Sequence, residues 1–376
     1  MIKNKKAIFV THPKSLSSHV TGGVQLCSQE FLLILKKCEF NIEQYDLSYT
    51  KNIKDRALIK LKIDNYRNFN IKELSTNIIK YIEENDIAWV FINMATLVRI
   101  AKPIKEKFGD KVKIVLLSHG NHSGDFLHLT TKPIHKQNFI TKFRDIARLG
   151  YLVHTESLYR VKYLDAVLTV SDAETQIENW FGAKKTILVP RLLENKQLSL
   201  QTNYDRIGFV GRLDHPPNYQ GITFLLDELK KIKTKEYNVR LVGAPEDWGR
   251  KIEKMYDFVE YTGELSDEDL DKEVATWALF LNTVFWYSTG VTTKLAWAIN
   301  RGVPIVTTTP GMRGYKWKEG KLPIKETPKE MAEFSNNYIL DKDKIESLKK
   351  EIVKIRESSY TPDEIAKKIV SELSFI

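Results

Sequence analysis

The residues best placed for chemistry lie where short apolar runs give way to glycine and small polar side chains. Ser288-Thr289-Gly290-Val291-Thr292-Thr293-Lys294 leads into the helical pattern Thr292–Asn300. A helix N-terminus presents unpaired N–H groups and a partial positive charge, which suits phosphate. Lys294 adds a full charge in the first turn, and Arg212 follows the strand pattern Ile207–Val210. A helix terminus with two cations would hold a diphosphate without a metal. The same residues also describe an N-capped helix carrying a solvated lysine.

Other apolar runs end in the same way. Val242 is followed by Gly243, and Tyr261 by Thr262-Gly263, just as Val210 is followed by Gly211. Glycine at successive strand ends lets a ligand approach the backbone. In the first half, Ala7–Val10 runs into Thr11-His12-Pro13, and Thr21-Gly22-Gly23 opens a helix. Lys113–Leu117 ends in Ser118-His119-Gly120-Asn121-His122. A histidine just past a strand suits acid-base or phosphate work, and equally a hydrogen-bonded structural role. His119-x-x-His122 with His128 matches no specific metal spacing.

The elements that must position these groups alternate along the chain. Strand patterns at Ala7–Val10, Trp89–Ile92, Lys113–Leu117, Ala166–Val170 and Thr186–Val189 interleave with helical periodicity at Val24–Lys37, Ile71–Glu84 and Leu97–Phe108. Strands follow at Ile207–Val210, Val239–Val242, Phe258–Tyr261, Leu279–Thr283 and Pro304–Val306. Helices between them are predicted at Gly221–Ile232, Asp267–Ala275 and Thr292–Asn300. This alternation predicts an α/β protein with two parallel, helix-covered sheets, the setting in which ligands bind beyond the carboxyl ends of strands. The polar stretch Glu194–Asp205 marks the boundary. A helix at Asp343–Glu357 precedes a last one opened by Thr361-Pro362-Asp363-Glu364, a capping-box pattern.

The 376 residues, 42% hydrophobic and 28% charged, fit an ordinary two-domain globular protein rather than a disordered or fibrous chain. No apolar run is long enough to span a membrane, and the N-terminal apolar core is too short for a signal peptide. Cys27 and Cys38 lie about 16 Å apart along a predicted helix, too far for a disulfide, so a reducing cytoplasm is the simplest compartment. Residues 1–200 hold 31 Lys+Arg against 20 Asp+Glu, whereas residues 201–376 hold 27 against 28. A basic first half implies an anionic partner such as lipid headgroups or a phosphorylated substrate, or only a lysine-rich soluble surface. No aromatic-basic interleaving marks a nucleic-acid module.

These pieces, in this order, resemble a GT-B glycosyltransferase of the large retaining family 4 across nearly the whole chain. The resemblance rests on Gly22-Gly23 before an amphipathic helix, Asp165–Ser171, Ile187–Pro190, Phe209-Val-Gly-Arg-Leu213, Arg240–Gly243, Tyr261–Glu264, Gly290–Ala298 and Gly302–Val306. It implies two Rossmann-like domains facing across a cleft: an acceptor domain at 1–195 and a nucleotide-sugar domain at 196–358. A terminal helix, 359–376, would cross back to the first. By position, His119, Arg212 and Lys294 would be the catalytic groups. Gly22, Gly23, Gly211, Gly243, Gly263, Thr289, Gly290, Val291, Thr292 and Thr293 would bind the donor, and His12 and His122 the acceptor. The resemblance implies no metal or other cofactor. It also implies transfer to a glycan in bacterial surface polysaccharide or glycoconjugate synthesis, at the inner face of a membrane.

Two of the family's glutamates are missing. Thr289 and Trp297 stand where the family places a sugar-facing and a ribose-accepting carboxylate. Threonine can still bond a sugar, but tryptophan donates only. The loss of a ribose acceptor points to a deoxyribose donor such as a dTDP-sugar. It also leaves a non-catalytic partner subunit, or a glycan-binding relative, as the alternative. The family's lysine after Gly-Arg is absent as well, replaced by Asp214-His-Pro-Pro-Asn218.

Overall fold

The computed structural model describes residues 4–17, 22–60, 65–131, 138–286 and 290–376. The chain divides into two compact units. The first comprises residues 1–191, 288–290 and 361–376; the second comprises residues 192–287 and 291–360. The break at Arg191 falls a few residues before the polar stretch, whose last residues already belong to a strand.

The first unit is built on a six-stranded parallel sheet. Its strands are β1 (Lys6–Thr11), β2 (Asn41–Asp46), β3 (Trp89–Asn93), β4 (Lys113–Ser118), β5 (Ala166–Thr169) and β6 (Thr186–Leu188), in the order β2-β1-β3-β4-β5-β6. The central strands are continuous apolar runs because helices cover both faces, and all five residues of β3 are buried. The helices are α1 (Gly23–Lys37), α2 (Ile53–Lys60), α3 (Ile71–Asn85), α4 (Ala101–Phe108), α5 (His122–Thr131), α6 (Phe139–Lys162) and α7 (Asp172–Trp180).

The second unit holds five parallel strands: β7 (Asn203–Val210), β8 (Asn238–Val242), β9 (Val259–Gly263), β10 (Trp277–Leu281) and β11 (Ile305–Val306), in the order β11-β10-β7-β8-β9. Around them lie α8 (Pro216–Ile232), α9 (Glu246–Met255), α10 (Asp267–Val274), α11 (Thr293–Arg301), α12 (Thr309–Met312), α13 (Pro328–Tyr338) and α14 (Lys342–Glu357).

The last helix, α15 (Pro362–Leu373), opens with the anticipated capping box: Thr361 accepts from Glu364 N–H while the Glu364 carboxylate accepts from Thr361. It belongs to the first unit, where Lys37 pairs with Asp363 at 3.2 Å.

Several elements differ from the sequence expectation. β2 is a polar edge strand, NIEQYD, paired only with β1, so it lacks the apolar run that marks its neighbours. Leu97–Phe108 is not one helix but a 3-10 turn, Ala95–Ile100, followed by α4. Helices α2, α5, α6, α7, α9, α12 and α13 were not anticipated. Both cysteines are unpaired and buried, and burial pushes each thiol up to about 12. Among the described residues, no helix is long and apolar enough to cross a membrane.

Candidate functional site

In the second unit the three strand-end glycines lie side by side. Gly211 N–H donates to Val242 O at 3.0 Å, and Gly243 N–H donates to Gly263 O at 2.9 Å. Gly243 has φ +142°, and a Cβ there would fall 1.9 Å from the Gly211 carbonyl oxygen. A Cβ on Gly211 would meet the Lys294 side chain at 2.9 Å. The glycines therefore let the β7 and β8 ends close on each other and let Lys294 lie across them.

Lys294 reaches this place because Thr292 caps α11. Thr292 is extended and accepts the Lys294 N–H on its hydroxyl, while Gly302 ends the helix in the left-handed region. Tyr315 hydroxyl donates to the Thr292 carbonyl at 2.7 Å and fixes the turn. The Lys294 ammonium donates to Asn218 Oδ1 at 2.7 Å and stands 5.3 Å from the Phe209 ring centroid. Among the described residues no carboxylate pairs with it, and burial pushes its pKa down to about 8. A half-buried cation in the first turn of a helix, with no carboxylate paired to it among the described residues, has the electrostatics that suit an anion. Val291 and Thr293 flank the cap and are half-buried.

Asn218 is the residue the sequence reading missed as a participant. Its Nδ2 donates to the Arg212 carbonyl at 2.9 Å while its Oδ1 accepts from Lys294. It thus ties the Gly211-Arg212 turn to the lysine. The Pro-Asn segment replacing the family's lysine was legible, but its role emerges only from the fold. Arg212 points outward, its guanidinium gripped by Asp214 at 2.6 and 2.9 Å. Trp297, one turn after Lys294, packs on Phe280 at 6.0 Å beneath the Arg301 guanidinium at 4.0 Å. It fills the helix–sheet interface and offers no acceptor.

In the first unit the β4 carboxyl end carries a second set of groups. His119 Nε2 lies 2.7 Å from Asn93 Oδ1. Burial, reinforced by the Arg191 guanidinium, pushes the His119 pKa down to about 3. The ring is therefore neutral at physiological pH and cannot serve as a cation for phosphate. The loop after it is pinned from below. Ser118 hydroxyl donates to Glu178 at 3.0 Å, and Glu178 is held by Arg160 at 2.7 and 2.9 Å, both fully buried. The Glu156 carboxylate accepts the His122 N–H at 2.6 Å. The His122 ring stands edge-on to Tyr66 at 5.6 Å, and its Nε2 is buried without a partner among the described residues.

Gly22 is the extended N-cap of α1, and Gly23 its first residue. Gly290 belongs to this unit, with φ +74° and its N–H donating to the Glu174 carboxylate at 3.1 Å. That N–H is thus occupied rather than open to phosphate. Thr289 lies outside the described residues. His12 stacks on Tyr49 at 4.1 Å, and Tyr49 stacks on Phe69 at 5.4 Å. Tyr49 and Phe69 line a pocket with Asp46, Asn70, Glu73 and Asn77. The sequence reading named His12 but not this ladder, because Tyr49 and Phe69 follow separate elements. No group of three or more His, Cys, Asp or Glu residues that could hold a metal occurs among the described residues.

Residues 204–341, most of the second unit, match the family described as glycosyl transferases group 1. No curated protein matches the chain in sequence. Solved structures share the fold at low identity. Sucrose-phosphate synthase from Thermosynechococcus elongatus aligns at 14% identity with TM-score 0.66, covering 99% of each chain. Anabaena HepE, crystallised with UDP and glucose, aligns at 14% with TM-score 0.61, covering 99% of this chain and 100% of its own. The lipopolysaccharide outer core galactosyltransferase WaaB aligns at 13% with TM-score 0.59, covering 98% and 99%. The fold is that of GT-B glycosyltransferases.

Proposed function

We propose that this chain, a glycosyltransferase by the group 1 domain it carries, moves a sugar from a nucleotide-diphosphate sugar to a glycan acceptor with retention of anomeric configuration. The observation that carries the donor assignment is Lys294. It is half-buried in the first turn of α11, lies against Gly211, is oriented by Asn218, and has no acidic partner among the described residues. The diphosphate would accept bonds from the Lys294 ammonium and from the N–H groups of the first turn, with Arg212 exchanging Asp214 for phosphate.

The reaction is written as a front-face displacement. The bond from the anomeric carbon to the phosphate oxygen breaks, and the acceptor hydroxyl oxygen bonds to that carbon on the same face. The acceptor proton passes to the leaving phosphate, whose charge is stabilised by Lys294 and the helix terminus. Such a step needs neither a side-chain nucleophile nor a metal. Trp297 offers the ribose no acceptor, which favours a deoxyribose donor such as a dTDP-sugar. The Tyr49–Phe69 ladder with Asp46, Asn70 and Glu73 has the makeup of a sugar-binding surface and supports a glycan acceptor on the first unit. We place the reaction in the cytoplasm, in bacterial surface-glycan synthesis.

The same Trp297 supports a second reading, a non-catalytic or glycan-binding relative. Incubation with nucleotide sugars and candidate oligosaccharides separates the two. Transfer giving an α-linked product from an α-linked donor supports the first, whereas a β-linked product contradicts retention. No hydrolysis or transfer with any donor supports the second. In the first case Tyr49→Ala should raise the acceptor KM with little change in donor KM.

A further inference from the structure

Helix α6 inverts the usual pattern of a surface helix. Toward the protein interior it buries Asp145, Glu156 and Arg160 together with Leu152. Toward solvent its first two turns expose Phe139 (82%), Ile140 (79%), Phe143 (68%) and Ile146 (68%). At about 100° per residue these four fall in one arc of about 120°, with Lys142 and Arg144 at its two margins. Both cations are exposed, and Arg144 also contacts Asp145 at 3.1 Å. The helix is not loosely attached: Arg160, fully buried, is held by Glu178. The apolar stripe is therefore presented on an anchored element.

We propose that this stripe docks the protein on an anionic lipid surface, with the four side chains entering the headgroup–acyl boundary and Lys142 and Arg144 extending to the phosphates. Charge selects this occupant. The stripe lies in the lysine-rich first half, which carries 31 Lys+Arg against 20 Asp+Glu over residues 1–200. A second copy would bring like-charged margins together. Area points the same way: four such side chains offer on the order of 500–600 Å², less than the roughly 800 Å² per partner of a stable protein interface. Basic side chains flanking inserted apolar ones combine an electrostatic and a hydrophobic contribution to reversible membrane attachment.

The test is flotation of the full chain with vesicles of phosphatidylglycerol and phosphatidylcholine in equal parts, and with phosphatidylcholine alone. The parent should float with the anionic vesicles only. A Phe139→Ser/Phe143→Ser/Ile146→Ser variant should bind them at least about tenfold more weakly, and Lys142→Glu should weaken binding and make its loss with salt shallower. Phe143→Trp supplies a check independent of affinity, since its emission should shift to the blue on anionic vesicles. Nucleotide binding in the same samples should not change, which separates failure here from failure of the donor assignment. The proposal is overturned if the parent does not float, if the triple variant floats like the parent, or if the triple substitution instead converts a dimer to a monomer.

Discussion

Asn93 Oδ1 lies 2.7 Å from His119 Nε2, and the rest of the Asn93 amide fixes which of the two atoms carries the proton. Asn93 Nδ2 sits 2.8 Å from Thr11 Oγ1 and 3.0 Å from Ser28 Oγ. The Ser28 hydroxyl gives its own proton to Val24 O at 2.7 Å. The amide nitrogen must therefore face the hydroxyls and the amide oxygen must face the ring. An oxygen without hydrogen requires an N–H opposite, so His119 carries its proton on Nε2 and offers Nδ1 as an acceptor.

This assignment is open to direct test by long-range proton–nitrogen NMR. His119 should show the Nε2–H tautomer and should not titrate between pH 5 and 8, because burial holds its pKa near 3. Asn93→Asp places a carboxylate against the ring and should raise that pKa by roughly 1–3. A parent His119 titrating near 6.5, or protonated on Nδ1, contradicts the network. The linkage has a definite sign. The folded-state pKa lies below the unfolded value, so the stability from neutral His119 is complete above pH 6.5 and is lost as pH falls toward 3. His119→Gln should lose about 1–2 kcal/mol less stability than the parent between pH 7 and pH 5.

Lys294 predicts a pH dependence of the opposite range. Below its pKa of about 8 the side chain is a cation, and above it the charge is lost. Nucleoside diphosphate affinity should therefore fall as pH rises through 8. Asn218→Ala removes the bond that orients the ammonium and should weaken nucleotide binding about tenfold. Lys294→Met should abolish binding without lowering Tm, because it removes a cation that the fold keeps partly from water. A flat pH profile would show that Lys294 does not meet the phosphate.

The glycines at the strand ends should differ sharply from one another. Gly243→Ala would drive a Cβ to 1.9 Å from the Gly211 carbonyl and should cost several kcal/mol along with nucleotide binding. Gly263 has φ +87° but nothing within 4 Å of an added Cβ. Gly263→Ala should cost only the backbone strain, about 1–2 kcal/mol. Thermal unfolding of the two variants distinguishes packing from conformational cost.

The second unit was largely legible in the sequence. Its strands carry buried apolar runs, and three of the five, β7, β8 and β9, end at a glycine, which the close approach of Gly211 and Gly243 requires. Thr292 as a cap and Lys294 in the first turn were legible from the small polar turn before an amphipathic helix, but the same pattern equally described a capped helix with a solvated lysine. The first unit was less so. β2 is a polar edge strand, and α6 buries Asp145, Glu156 and Arg160 while its first turns expose Phe139, Ile140, Phe143 and Ile146, so neither carries the expected periodicity. Asn218, Asn93 and the Tyr49–Phe69 ladder were not legible as participants. Each acts through a partner from a distant segment: Lys294, His119 and His12. Arg212 was read as a phosphate cation, and only the fold shows that Asp214 already holds it.

The central claim is that the turn around Lys294 binds the diphosphate of a nucleotide sugar. Its most direct test is calorimetric titration of UDP, GDP, dTDP, ADP and CMP into the parent and into Lys294→Ala. The account predicts that one nucleoside diphosphate, dTDP foremost, binds the parent and binds the variant at least about a hundredfold more weakly. Equal binding by parent and variant, or no binding of any diphosphate at millimolar concentration, would contradict it.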